Sequence, residues 1–168
     1  MSLSMYDASA PRFAHMLRNL DAILARARDH AATKKIDPAV LLGARLFPDM
    51  LPMIKQVQIA TDHAKGAVAR LAGAEPPRYE DTEQSFDELR ARIAKTIAFV
   101  ESLSPEKIDG SEQRPIALRV GGKDWSFTGQ DYLLGFALPN FHFHLVTAYN
   151  ILRHNGIEIG KGDYLGNP

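Results

Sequence analysis

Between Ser126 and Gly156 the chain reads SFTGQDYLLGFALPNFHFHLVTAYNILRHNG, its longest apolar run. A run of that length is too long for a strand and predicts a deeply buried helix, hence a helical bundle around it. The end signals agree. Thr128 stands at an N-cap position with Asp131 three residues on, a variant capping box, and Gly156 supplies the stop. Pro139 cannot bond back to Gly135, so a kink is expected there. Three of the six histidines (His142, His144, His154) lie in the run, with Asn140 directly after Pro139. Read as a strand, His-x-His would place both rings on one face, as in cupin metal sites. The next acidic residue is only Glu158, and the length and end signals favour the helix.

Three further amphipathic segments can pack against it. The first is expected over residues 7–32, capped by Asp7, with Phe13, Leu17, Leu20, Leu24 and Ala27 on its dry side. The second is expected over 49–71. It carries no charge between Lys55 and Asp62, so it is buried on more than one face. Small residues (Ala60, Ala64, Gly66, Ala67) surround His63, leaving room for a close helix or for a ligand. The third starts at Thr82 or Ser85 and ends near Leu103. Phe86, Leu89, Ile93, Ile97 and Val100 form its stripe, and Asp87, Glu88, Arg90, Arg92, Lys95 and Glu101 its wet face. Before the last helix, RPIALRV-GGK-DWSFT alternates apolar and polar residues around Gly121-Gly122, a β-hairpin signal. Trp125 and Phe127 are expected to anchor that hairpin, since a lone one is marginal in water. The tail from Ile157 is too glycine-rich to predict another helix. The fold class is therefore all-α: an up-down four-helix bundle with a small β-hairpin inserted before the last helix, forming one domain over 1–168.

Charge narrows the partners. Twenty basic residues balance twenty acidic ones, and no basic patch stands out, which argues against nucleic acid. The absence of cysteine excludes disulfides and thiolate zinc sites. No signal-peptide pattern and no membrane-spanning run is present, so the cytoplasm is the expected compartment.

Chemistry is expected at the second and fourth long helices. At about 100° per residue, Asn140 and His144 share a face with Phe136, Thr147 and Ile151, whereas His142 points away with Leu138, Leu145 and Tyr149. His63 and His144, with Asn140 as a weak ligand or hydrogen-bonding neighbour, would make a site between helices. Imidazole suits zinc, nickel, iron or copper, but no third strong ligand is evident. The alternative is a pair of buried neutral histidines, with Asn140 satisfying backbone groups that Pro139 frees. The face carrying His142, Leu145 and Tyr149 reads as a subunit contact, and a two-fold homodimer through the last helix is expected.

QVQIATDHAKGAVARLAG (56–73) and GGKDWSFTGQDYLLGFALPNFHFHLVTAYNILRHNGIEIG (121–160) together resemble a domain-of-unknown-function branch of the DinB/YfiT-like superfamily. The resemblance implies a DinB-like four-helix bundle and kinship with metalloenzymes, some of them thiol-dependent transferases using a divalent metal. That superfamily carries one His on its second helix and a His-x-x-x-His pair on a later one. His63 fits the first position and His144 the last, while Asn140 stands where the middle His would be. Two functions are carried forward. One is an enzyme assisted by a divalent metal (zinc or nickel) held by His63, Asn140 and His144, acting on a small molecule between helices two and four. The alternative is a metal-free dimeric bundle that binds a ligand or serves assembly.

Overall fold

The computed structural model describes residues 3–166; the four terminal residues of the expected 1–168 domain lie outside the described residues. The long helices are α1 (Ala10–Lys34), α3 (Met53–Leu71), α4 (Phe86–Glu101) and α7 (Leu138–His154). Shorter pieces connect them: α2 (Pro38–Gly43), α5 (Pro105–Ile108) and α6 (Gly129–Asp131). The chain ends in α8 (Lys161–Leu165). The expected hairpin is present as β1 (Pro115–Val120) paired antiparallel with β2 (Lys123–Thr128), Ile116 opposite Phe127 and Leu118 opposite Trp125. Gly121 and Gly122 turn it, both at positive φ (59° and 78°), where a side chain would be strained.

Cross-helix pairings give the helix directions. Arg28–Asp87, Arg90–Asp21 and Arg18–Glu101 run in opposite order along α1 and α4, so these two are antiparallel. Gln56–His144 and Arg70–Tyr132 make α3 and α7 antiparallel. Lys55–Asp81 and Gln58–Glu83 show residues 72–85 returning along α3, so that α4 starts beside the N-terminal half of α3. The bundle therefore runs up, down, down, up, with α3 packed on both α4 and α7.

Several local expectations are corrected. Helix α1 begins at Ala10 after Ser9, not at Asp7. The Ser9 hydroxyl donates back to the Met5 carbonyl (2.6 Å) rather than capping the helix. The tail does form a short helix: Asp163 accepts from the Gly160 amide (2.7 Å), which closes its first turn despite the glycines. Phe127 packs on the bundle, but Trp125 stays 45% exposed and stacks on Phe127 instead. The face of His142, Leu145 and Tyr149 is partly covered by the chain's own C-terminal segment. Leu145 is fully buried, the Tyr164 hydroxyl meets His142 Nδ1 at 3.0 Å, and Tyr149 lies edge-on to Tyr164.

Arg92 departs furthest from expectation. It was assigned to the wet face of α4 yet is only 4% exposed. The 72–85 connection folds over it and brings Asp81 (3.0 Å) and Glu83 (3.1 Å), while α3 brings Asp62 (2.9 Å) and the Thr61 hydroxyl (2.7 Å). The nearly buried Lys65 shares Asp62, and Tyr79 lies within cation–π distance of Arg92, Lys65 and Lys95. A cavity of about 590 Å³ beside this network is lined mainly by charged side chains, Glu83, Arg92 and Lys95 among them. The network's job is structural: a buried guanidinium needs carboxylates around it, and here they tie the long connection to α3 and α4.

Candidate functional site

Two rows of side chains face each other across the α3–α7 contact. On α3, Gln56, His63 and Arg70 recur every seven residues, close to two turns, and so share a face. On the last helix Tyr132, Phe136, Asn140 and His144 recur every four. Because the helices are antiparallel, the rows meet in opposite order. Gln56 meets His144, His63 lies between His144 and Phe136, and Arg70 meets Tyr132.

Pro139 shapes the second row. The expected kink takes the form of a π-helical segment over Tyr132–Ala137, where the Leu138 amide reaches back five residues to Leu133. A wider turn absorbs the missing proline donor without breaking the helix, and such insertions recur at functional sites. Asn140 then donates its side-chain amide to the Phe136 carbonyl (2.7 Å). That bond holds Asn140 with its Oδ1 left to accept from or ligate another group.

The imidazoles of His63 and His144 lie 5.8 Å apart, centroid to centroid, with their planes 15° from parallel. The sequence names both as candidates for one site but leaves their separation open; the fold stacks the two rings. Gln56 determines the state of His144. Its Nε2 donates to the Leu51 carbonyl (3.0 Å), so its Oε1 is the atom that meets His144 Nδ1 at 2.7 Å. An amide oxygen only accepts, so Nδ1 carries the hydrogen and Nε2 keeps its lone pair. Burial lowers the His144 pKa. His63 is pushed down to about 4, first by burial and then by its neighbour His144. Both rings are therefore neutral nitrogen bases near pH 7.

These rings line a cleft of about 890 Å³, near the upper end of ligand-pocket sizes. Asn140, Phe136, Tyr132 and Arg70 line it with them, and Leu118, Arg119 and Val120 of β1 close one side. The hairpin thus serves as a wall of the site. The other four histidines stand apart: His142 is bound to Tyr164, His15 to the Leu165 carbonyl (2.7 Å), His30 lies near the end of α1, and His154 is exposed at the end of α7.

Donor chemistry decides how a metal would fare. Two imidazoles suit zinc or nickel in kind, and Asn140 can add an amide oxygen. Among the described residues no third His, Cys, Asp or Glu joins them. Asp62, next to His63, is committed to Arg92 and Lys65. The set is neutral and short of ligands, so the residues fit a loosely held ion rather than a resident one.

Sequence reasoning missed Gln56, Arg70 and Tyr132. The seven-residue spacing of Gln56 and Arg70 about His63 was the available signal.

A family model described as "Domain of unknown function (DUF1993)" matches residues 5–165. A solved structure of a DinB family member protein from Shewanella denitrificans is 42% identical over 97% of this chain and 92% of that one, with a TM-score of 0.87. None of the curated proteins matches.

Proposed function

The chain belongs to the DUF1993 family of DinB-like domains of unknown function, and from that premise we propose that it acts on a small molecule held between α3 and α7. His63 and His144 serve as a pair of neutral imidazoles that accept a proton or a ligand atom, and Asn140 orients the ligand beside them. The observation that carries this reading is the face-to-face approach of the two rings at 5.8 Å, both kept unprotonated, in an open cleft. Both rings line a cleft of about 890 Å³ rather than being sealed in the core. The Gln56 bond, which leaves a lone pair on His144 Nε2, supports the same role.

For a divalent ion such as zinc or nickel, His63 and His144 would be the residues to supply ring nitrogens and Asn140 an amide oxygen. The ion would add Lewis-acid activation of the bound molecule. The protein's own part is to hold the two nitrogens, keep them neutral and shield them under β1. Metal analysis and zinc titration of untagged protein test the metal-assisted form. The expected result is weak, saturable binding that disappears in His63→Ala and His144→Ala. Binding that survives both variants would remove the metal from the site.

A homodimer through the last helix remains the proposed assembly, on a different face from the one read from sequence. Leu134, Phe143 and Val146 are exposed (53%, 58% and 37%) along that helix, and an apolar stripe of this kind is what a second copy would cover.

A further inference from the structure

The buried cations Arg92 and Lys65 both hold Asp62, and the half-buried Arg90 holds Asp21. Arg70 is the exception in the cleft: among the described residues it has no carboxylate partner. Its one side-chain bond runs from Nη1 to the hydroxyl of Tyr132 (3.1 Å), itself only 1% exposed. Its remaining N–H groups are free for a ligand.

Arg70 is also held in a particular place. Its guanidinium folds back along α3 over Gly66, one turn earlier, towards His63. A Cβ built on Gly66 would sit 2.6 Å from Arg70 Nη1. Glycine inside a helix is unfavourable relative to alanine, and the space its missing side chain leaves is filled by this guanidinium. Glu75 at the rim is exposed, and Asp62 is bonded to Arg92 and Lys65, so neither pairs with Arg70. Between Arg70 and the histidines lie the rings of Tyr132 and Phe136, with Leu118 opposite.

We infer that Arg70, set by Gly66 and Tyr132, is an anion-binding subsite, and that the molecule handled here is a small organic acid. Its carboxylate or phosphate meets Arg70, and an apolar body lies on Phe136, so that its reacting end reaches His63 and His144. A planar guanidinium with free donors suits a two-oxygen anion, and both anion types share that geometry. The inference rests on the histidine pair being the working centre, but its test does not depend on that chemistry.

The probes are phenylacetate and phenyl phosphate, with phenylacetamide as the uncharged counterpart, titrated calorimetrically into the full chain. Charge-assisted bonding predicts that one of the two acids binds about 10- to 100-fold more tightly than the amide, and the better acid identifies the anion type. Arg70→Gln should bring acid and amide together. Gly66→Ala should do the same by displacing the guanidinium, with the helical circular dichroism unchanged. That second variant keeps the test valid if Arg70→Gln folds poorly. His63→Gln should keep the preference for the acid. Acids that bind no more tightly than the amide, absence of binding by either included, overturn the inference, as does a preference that survives both Arg70→Gln and Gly66→Ala. An intact preference alongside His63 and His144 variants that change no turnover or metal binding would instead refute the functional reading and leave the subsite standing.

Discussion

Acid should destabilise this protein through His63 in a defined window. In the unfolded chain an imidazole takes up a proton near pH 6.5, whereas native His63 holds off until about pH 4. Between those values the unfolded chain binds more protons than the native one, so stability falls as pH falls. The contribution is fully present above pH 6.5, declines from there towards pH 4, and falls no further below it. The gap of about 2.5 pH units corresponds to a ceiling of about 3.4 kcal/mol, and to about 2 kcal/mol at pH 5. His63 keeps some contact with solvent, so roughly 1–2 kcal/mol at pH 5 is the discounted figure. The assay is urea unfolding of wild type and His63→Gln at pH 7.5 and pH 5. Glutamine keeps a polar, uncharged side chain there and removes the titration. Burial also lowers the pKa of His142 and His144; these remain in both proteins and largely cancel in the comparison. Wild type should lose about 1–2 kcal/mol more than the variant between the two pH values. Equal losses would mean that His63 is not held neutral, and the argument for a pair of free bases would go with it.

Other substitutions test the scaffold and the assembly. Arg92→Ala leaves Glu83 without its cation, while Asp62 and Asp81 keep Lys65 and Lys55, and should cost about 2–3 kcal/mol in denaturant unfolding; a neutral effect would show that the network is incidental. Gly129→Ala drives a Cβ into the backbone carbonyl of Ser111, which has no flexible end to move aside, so it should destabilise by about 1–3 kcal/mol and lower the melting temperature. Gly66→Ala, which meets only the tip of Arg70, should not. If the last helix makes the homodimer, Phe143→Asp should halve the mass seen by light scattering without changing the helical circular dichroism. A wild-type monomer would rule that assembly out.

The sequence by itself determined the elements. Apolar stripes at helical spacing in three segments, a long apolar run with Thr128 and Gly156 at its ends, and alternation about Gly121-Gly122 each follow from local periodicity and capping. They place the helices and the hairpin almost where they stand. The same periodicity separated His142 from His144 and put Asn140 beside the latter. What it could not supply was anything that depends on one segment covering another. Arg92 looks like a solvated residue until the 72–85 connection lies over it, and Lys65 is hidden in the same way. The face of His142 and Tyr149 gives no sign in the sequence that Tyr164 returns to it. The site itself is of this second kind. A seven-residue row on α3 and a four-residue row on the last helix are each legible alone. Only antiparallel packing sets Gln56 on His144, His63 against that ring, and Arg70 on Tyr132. Burial and pairing are properties of the neighbour, and a single chain pattern does not contain its neighbour.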